Sequence, residues 1–108
     1  MNWVENINKV AQDIHQNAKD KGFWDQPRNS GEAIALIHSE LSEALEALRH
    51  GNPPDDKVPE FSGVETELAD AIIRICDLAV GNGWKVFEAM QAKMVFNKTR
   101  ERLHGKEF

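Results

Sequence analysis

A chain of 108 residues with 13 Lys plus Arg against 18 Asp plus Glu carries a formal charge of −5, which is one domain's worth of sequence. With 41% hydrophobic and 29% charged residues it has the means to bury a core, so a disordered composition is excluded. The acidic balance argues against a nucleic-acid backbone binder, and the single cysteine, Cys76, excludes a disulfide framework and a Cys-rich zinc site.

Met1 to Val10 lacks the profile of a signal peptide. The longest apolar stretch, Leu68 to Val80, is broken by Asp70, Arg74 and Asp77, which argues against a membrane span. The expectation is a soluble, cytoplasmic protein in a reducing compartment.

Trp3, Val4, Ile7, Val10, Ala11, Ile14 and Ala18 recur at three- and four-residue spacing and predict an amphipathic first helix, stopped at Gly22. Phe23 to Ser30 reads as a loop bearing two large aromatics, Phe23 and Trp24. A second helix starts near Gly31 with the stripe Ile34, Ile37, Leu41, Ala44, Leu45 and Leu48, and ends at Gly51 before Pro53 and Pro54. Gly51 to Phe61 is a loop. Ser62 and Glu65 form a capping-box signature that starts a third helix, which runs to Gly81-Asn82-Gly83. Val86, Phe87, Met90 and Met94 predict a fourth, continuing to about Leu103. No strand-like alternation of useful length competes, so the expected fold is an all-α four-helix bundle spanning 1–108 as a single domain.

The third helix is apolar on most sides, with Glu67, Asp70, Arg74 and Asp77 at i, i+3, i+7 and i+10 as a narrow polar stripe. That pattern predicts a central helix packed on both flanks. Glu40 and Glu43 repeat the i, i+3 spacing on helix two, beside Ala33, Leu36 and Ala47. If the two flanks face each other, four carboxylates converge and need a counter-charge, because like charges at short range raise one another's pKa. A divalent cation with oxygen ligands, Mg²⁺ or Mn²⁺, meets that need. Arg74 could also pair within its own stripe, with Asp77 as the first choice of partner.

Lys93, Asn97 and Arg100 share one edge of helix four, where they could meet a polyphosphate or simply complement the helix dipole. Phe23 and Trp24 could stack on a nucleobase, although capping the end of the bundle is the reading ahead. His15, His38, His50 and His104 show no metal-binding spacing and are expected to be solvated; Cys76 reads as a small core hydrophobe. Val95 and Phe96, outside the main stripe of helix four, together with Ile73, Cys76 and Val80 suggest a buried partner surface and hence a homo-oligomer.

Taken together, E40-L-S-E43, then E67-L-A-D70 after 23 residues, then K93-M-V-F-N97-K-T-R100 resemble the MazG-type all-α nucleoside triphosphate pyrophosphohydrolases. The resemblance covers roughly residues 31 to 105. The superfamily of the resembled family also includes dimeric dUTP pyrophosphatases, dCTP pyrophosphatases and phosphoribosyl-ATP pyrophosphohydrolase. The resemblance implies an Mg²⁺-dependent dimer or tetramer that splits nucleoside triphosphates into monophosphate and pyrophosphate. It further implies Glu40, Glu43, Glu67 and Asp70 as metal ligands, Glu40 or Glu43 as the water-activating base, and Lys93, Asn97 and Arg100 as phosphate contacts. Many members have two adjacent acids at the first motif, whereas Ser39 precedes Glu40 here.

A ferritin-like di-iron protein calls for Glu-x-x-His on each of two helices, which this chain does not supply. A non-catalytic helical interaction module, and a pyrophosphohydrolase of a specialised substrate such as phosphoribosyl-ATP, stay open as alternatives.

Overall fold

The computed structural model describes residues 2–107 apart from the side chain of His104, so the expected solvation of His104 lies outside the described residues. Among the described residues there are four α-helices, α1 (Trp3–Asp20), α2 (Ser30–Arg49), α3 (Gly63–Asn82) and α4 (Val86–Asn97), followed by a short 3₁₀ turn at Arg102–Gly105, with an isolated β-bridge between Pro54 and Ser62. Each of the first three starts where a side-chain oxygen can accept from a free backbone amide. Asn2 accepts from Glu5 N, Asn29 from Glu32 N, and Ser62 exchanges bonds with Glu65 in a complete capping box. Gly83, at φ 68°, closes α3 in the left-handed conformation that only glycine adopts without cost.

The fourth helix ends six residues earlier than its sequence pattern predicts. Beyond Asn97, Thr99 Oγ1 donates to the Phe96 carbonyl at 2.7 Å, a local bond that competes with continuing the ladder. None of residues 90–100 is buried, so no packing rewards further helix there.

The main packed pairs are α2 with α3, α3 with α1, and α1 with α4. The helices therefore form a row, α2–α3–α1–α4, with α3 between two neighbours as its nearly all-round apolar sequence requires. The small core joins Val4 and Ala11 of α1, Cys76 of α3 and Phe87 of α4, with Ile7, Ile14 and Val80 against it. Outside that core the buried residues of α2 and α3 are mostly alanines, Ala33, Ala44, Ala71 and Ala79, whose small side chains allow close helix packing.

The stripe expected to form the core of α2 is largely outside: Ile34, Leu41, Leu45 and Leu48 are exposed, as are Leu68, Ile72 and Ile75 of α3. The chain presents 8210 Å² of surface, where a folded monomer of 12.2 kDa would present roughly 6,100 Å². Its radius of gyration of 16.3 Å likewise exceeds the ~13 Å of a compact chain this long. Among the described residues, no helix is long and apolar enough to cross a membrane.

Candidate metal centre

The close approach of α2 and α3 brings their acidic stripes together. One carboxylate oxygen from each of Glu40, Glu67 and Asp70 lies within 4.8 Å of the other two. Glu43, one turn beyond Glu40, lines the same cleft, which has a volume of about 710 Å³. That size is in the range of small-molecule sites. The rest of its wall includes Asp13, Asn17 and Phe23 from the α1 end and Arg28, Lys57, Arg74 and Asp77 around the acids.

The three acids are unequal. Glu40 is buried and accepts from Arg74 Nε at 2.9 Å. Burial pushes its carboxyl up, but hydrogen bonding with Glu67 and Arg74 and the guanidinium's charge outweigh this and hold it below the ordinary glutamate value. Glu67 moves the other way, pushed up to about 8 by hydrogen bonding with Glu43, then by burial, then by Glu40, with both neighbours' charges adding. Asp70 is raised by burial first and the charge of Glu40 second, with Arg74 partly offsetting.

Glu67 Oε2 is fully enclosed and accepts from no donor among the described residues. Its near neighbours are carboxylates, which accept and do not donate unless protonated. A shared proton, a water or a cation would satisfy that oxygen, and the all-carboxylate donor set fits a divalent cation bound by oxygen. Ser39, which stands where a second adjacent acid is common in the resembled family, turns away and donates to the Leu36 carbonyl at 2.6 Å.

Two expected partnerships are corrected. Arg74 pairs with Glu40 across the helix interface, not with Asp77 of its own stripe. Asp77 is buried and already committed: it accepts from His15 Nδ1 at 2.8 Å, Trp24 Nε1 at 2.9 Å and Arg28 Nη1 at 3.1 Å. His15 is therefore a part-buried partner of Asp77 and not a solvated side chain. His38 and His50 are exposed as expected, and Cys76 is enclosed in the core, where burial pushes its thiol up.

Trp24 sits on this clamp. Arg28 lies 5.0 Å over its ring, His15 meets it edge-on at 5.0 Å, and Gly81 leaves the space that its six-membered ring fills. Each of these contacts is a packing contact at the end of the helix row. Phe23 beside it is exposed and lines the cleft.

Lys93, Asn97 and Arg100 lie outside the cleft of their own chain. All three are exposed, and the two cations gather over the Phe96 ring at 5.5 and 5.7 Å. The cations that do line the cleft are Arg28, Lys57 and Arg74. Sequence reasoning passed over Arg28 and Lys57 because both stand in loops, where helical period says nothing of direction. The one available signal was a charged Asp77 on an apolar helix, which requires a partner from elsewhere. Comparison with protein families, with curated proteins and with solved structures finds no match.

Proposed function

We propose that the chain is an Mg²⁺-dependent nucleoside triphosphate pyrophosphohydrolase of the MazG type, which hydrolyses the α-phosphorus anhydride to a monophosphate and pyrophosphate. The observation that carries the reading is the enclosed, donorless Oε2 of Glu67 among the carboxylates of Glu40, Glu43 and Asp70 at the wall of a nucleotide-sized cleft.

Glu40, Glu67 and Asp70 would hold Mg²⁺ or Mn²⁺, with Glu43 beside them. When bound, such a cation polarises phosphoryl oxygens and lowers the pKa of water. Glu43 is exposed, as is Asp70, but lies outside the converging trio and is not tied to Arg74, so it is the carboxylate placed to accept a proton from the attacking water. Arg28, Lys57 and Arg74 face the same space and would balance the charge that develops on departing pyrophosphate. Trp24 is packed against Asp77, His15, Arg28 and Gly81 and does not line the cleft, so stacking on a base would fall to exposed Phe23, which does.

The second part of the proposal is a homodimer or homotetramer in the cytoplasm. The apolar stripes of α2 and α3 lie outside, and the excess of roughly 2,000 Å² per chain over a compact monomer exceeds the roughly 800 Å² that each partner of a standard interface buries, as an obligate oligomer would. A second copy is also the means by which Lys93, Asn97 and Arg100 would reach a cleft. The same exposed stripes favour one other reading, a helical interaction module, which would bind no metal.

The test is incubation of the pure protein with a panel of ribo- and deoxyribonucleoside triphosphates, with and without Mg²⁺, resolving pyrophosphate from orthophosphate. Mg²⁺-dependent monophosphate and pyrophosphate are expected. No turnover of any member would move the reading to a specialised ester such as phosphoribosyl-ATP, and absence of metal binding as well would move it to the interaction module.

A further inference from the structure

Arg74 occupies an unusual position for a cation: it belongs to the acidic stripe of α3 and spends its Nε on Glu40 Oε1, at 2.9 Å, across the interface. Glu40 is one of the three acids whose oxygens converge, so guanidinium and divalent cation would draw on the same carboxylate. Among the described residues only Glu40 accepts from Arg74, which leaves both terminal nitrogens without a partner. Its side chain is 38% exposed and lines the cleft, so those nitrogens have access to a ligand there.

We propose that Arg74 is an exchangeable counter-ion: it neutralises Glu40 while the acidic cluster is empty, gives that carboxylate up when a divalent cation enters, and then binds a phosphoryl group of the substrate's polyphosphate. The inference rests on the cation-assisted phosphate reading of the cleft and adds a residue and an order of events to it. The physical reason is charge economy. A guanidinium and a divalent cation beside one carboxylate repel each other, and a planar fork with free N–H groups is well matched to a tetrahedral oxyanion. An arginine that served Glu40 alone would have no use for an open flank toward the cleft.

The experiment measures Mn²⁺ binding, and then pyrophosphate binding in saturating Mn²⁺, by calorimetry on the wild type, Arg74→Ala and Arg74→Lys, with circular dichroism to confirm folding. The two ligands should respond in opposite directions. Arg74→Ala should bind Mn²⁺ about tenfold more tightly, because a competing positive charge is gone, and pyrophosphate about tenfold more weakly. Arg74→Lys should leave Mn²⁺ binding near the wild-type value and still weaken pyrophosphate, since a point charge cannot reproduce the fork. A purely structural arginine would move both affinities down together or neither, and either result overturns the proposal. If wild-type protein binds pyrophosphate without binding Mn²⁺, or binds neither, the metal reading itself fails and takes this inference with it.

Discussion

The acidic cluster must bind a proton when it binds no metal, and the consequence is a steep pH dependence of metal affinity. Glu67 is pushed up to about 8, with Glu43 and Glu40 as the neighbours that favour its neutral form. A cation needs the carboxylate, so it must displace that proton. Apparent affinity for Mg²⁺ or Mn²⁺ should then be about tenfold weaker at pH 7 and about 100-fold weaker at pH 6 than on the plateau above pH 8. Titration calorimetry across pH 6 to 9, in buffers of different ionisation heat, should show about one proton released per cation at pH 7. The folded state supplies an independent check. Because the folded pKa of Glu67 lies above its ordinary value of 4.5, the folded chain holds a proton that the unfolded chain loses, and metal-free stability should fall as pH rises from 4.5 to about 8. Asp70, also raised, acts in the same direction, whereas Glu40, lowered, has its effect below pH 4.5. Glu67→Gln, which fixes the neutral form, should flatten that decline and abolish metal binding. Metal affinity independent of pH with no proton release would refute the reasoning.

Three other outcomes follow from the packing. Gly81→Ala would place a methyl 2.2 Å from the Trp24 ring, so despite the better helix propensity of alanine it should cost about 1–3 kcal/mol in denaturant unfolding; an unchanged or raised stability would show that Trp24 is not seated there. Asp77→Asn strips the charge from the carboxylate that joins His15, Trp24 and Arg28, and should cost about 2–4 kcal/mol and shift Trp24 fluorescence, read against a Trp24→Phe background. Leu45→Glu, at a position 53% exposed on the outer stripe of α2, should convert an oligomer to a monomer in sedimentation at micromolar concentration, and a wild type already monomeric there would contradict the proposed second copy.

How far the sequence carried can be judged from particular residues. The start of α3 was legible because Ser62 and Glu65 form a capping box, and the ends of α2 and α3 because Gly51 and Gly83 take positive φ, whereas the cap of α2, Asn29, read as a loop residue. Convergence of Glu40, Glu67 and Asp70 was legible too, since helical period places each on a defined flank and the alanines between α2 and α3 say which flanks can approach. The partner of Arg74 was not, because an intrahelical i+3 pair and a bond to another helix look the same in one dimension. The bond from His15 to Asp77 spans 62 residues and has no local signature at all. The outer stripe of α2 shows a third kind of limit: Ile34, Leu41, Leu45 and Leu48 mark an apolar side, but period alone does not say whether what covers it belongs to the same chain. The fourth helix ran short because nothing buried follows Phe87 along it.

The central claim is attack of water on the α-phosphorus at the acidic cluster. Hydrolysis of a nucleoside triphosphate in ¹⁸O-labelled water with Mg²⁺, followed by mass spectrometry of the products, tests it most directly. The account predicts label in the nucleoside monophosphate and none in pyrophosphate, with loss of the reaction in Glu67→Gln. Label in pyrophosphate or in orthophosphate, or full turnover by Glu67→Gln, would contradict it.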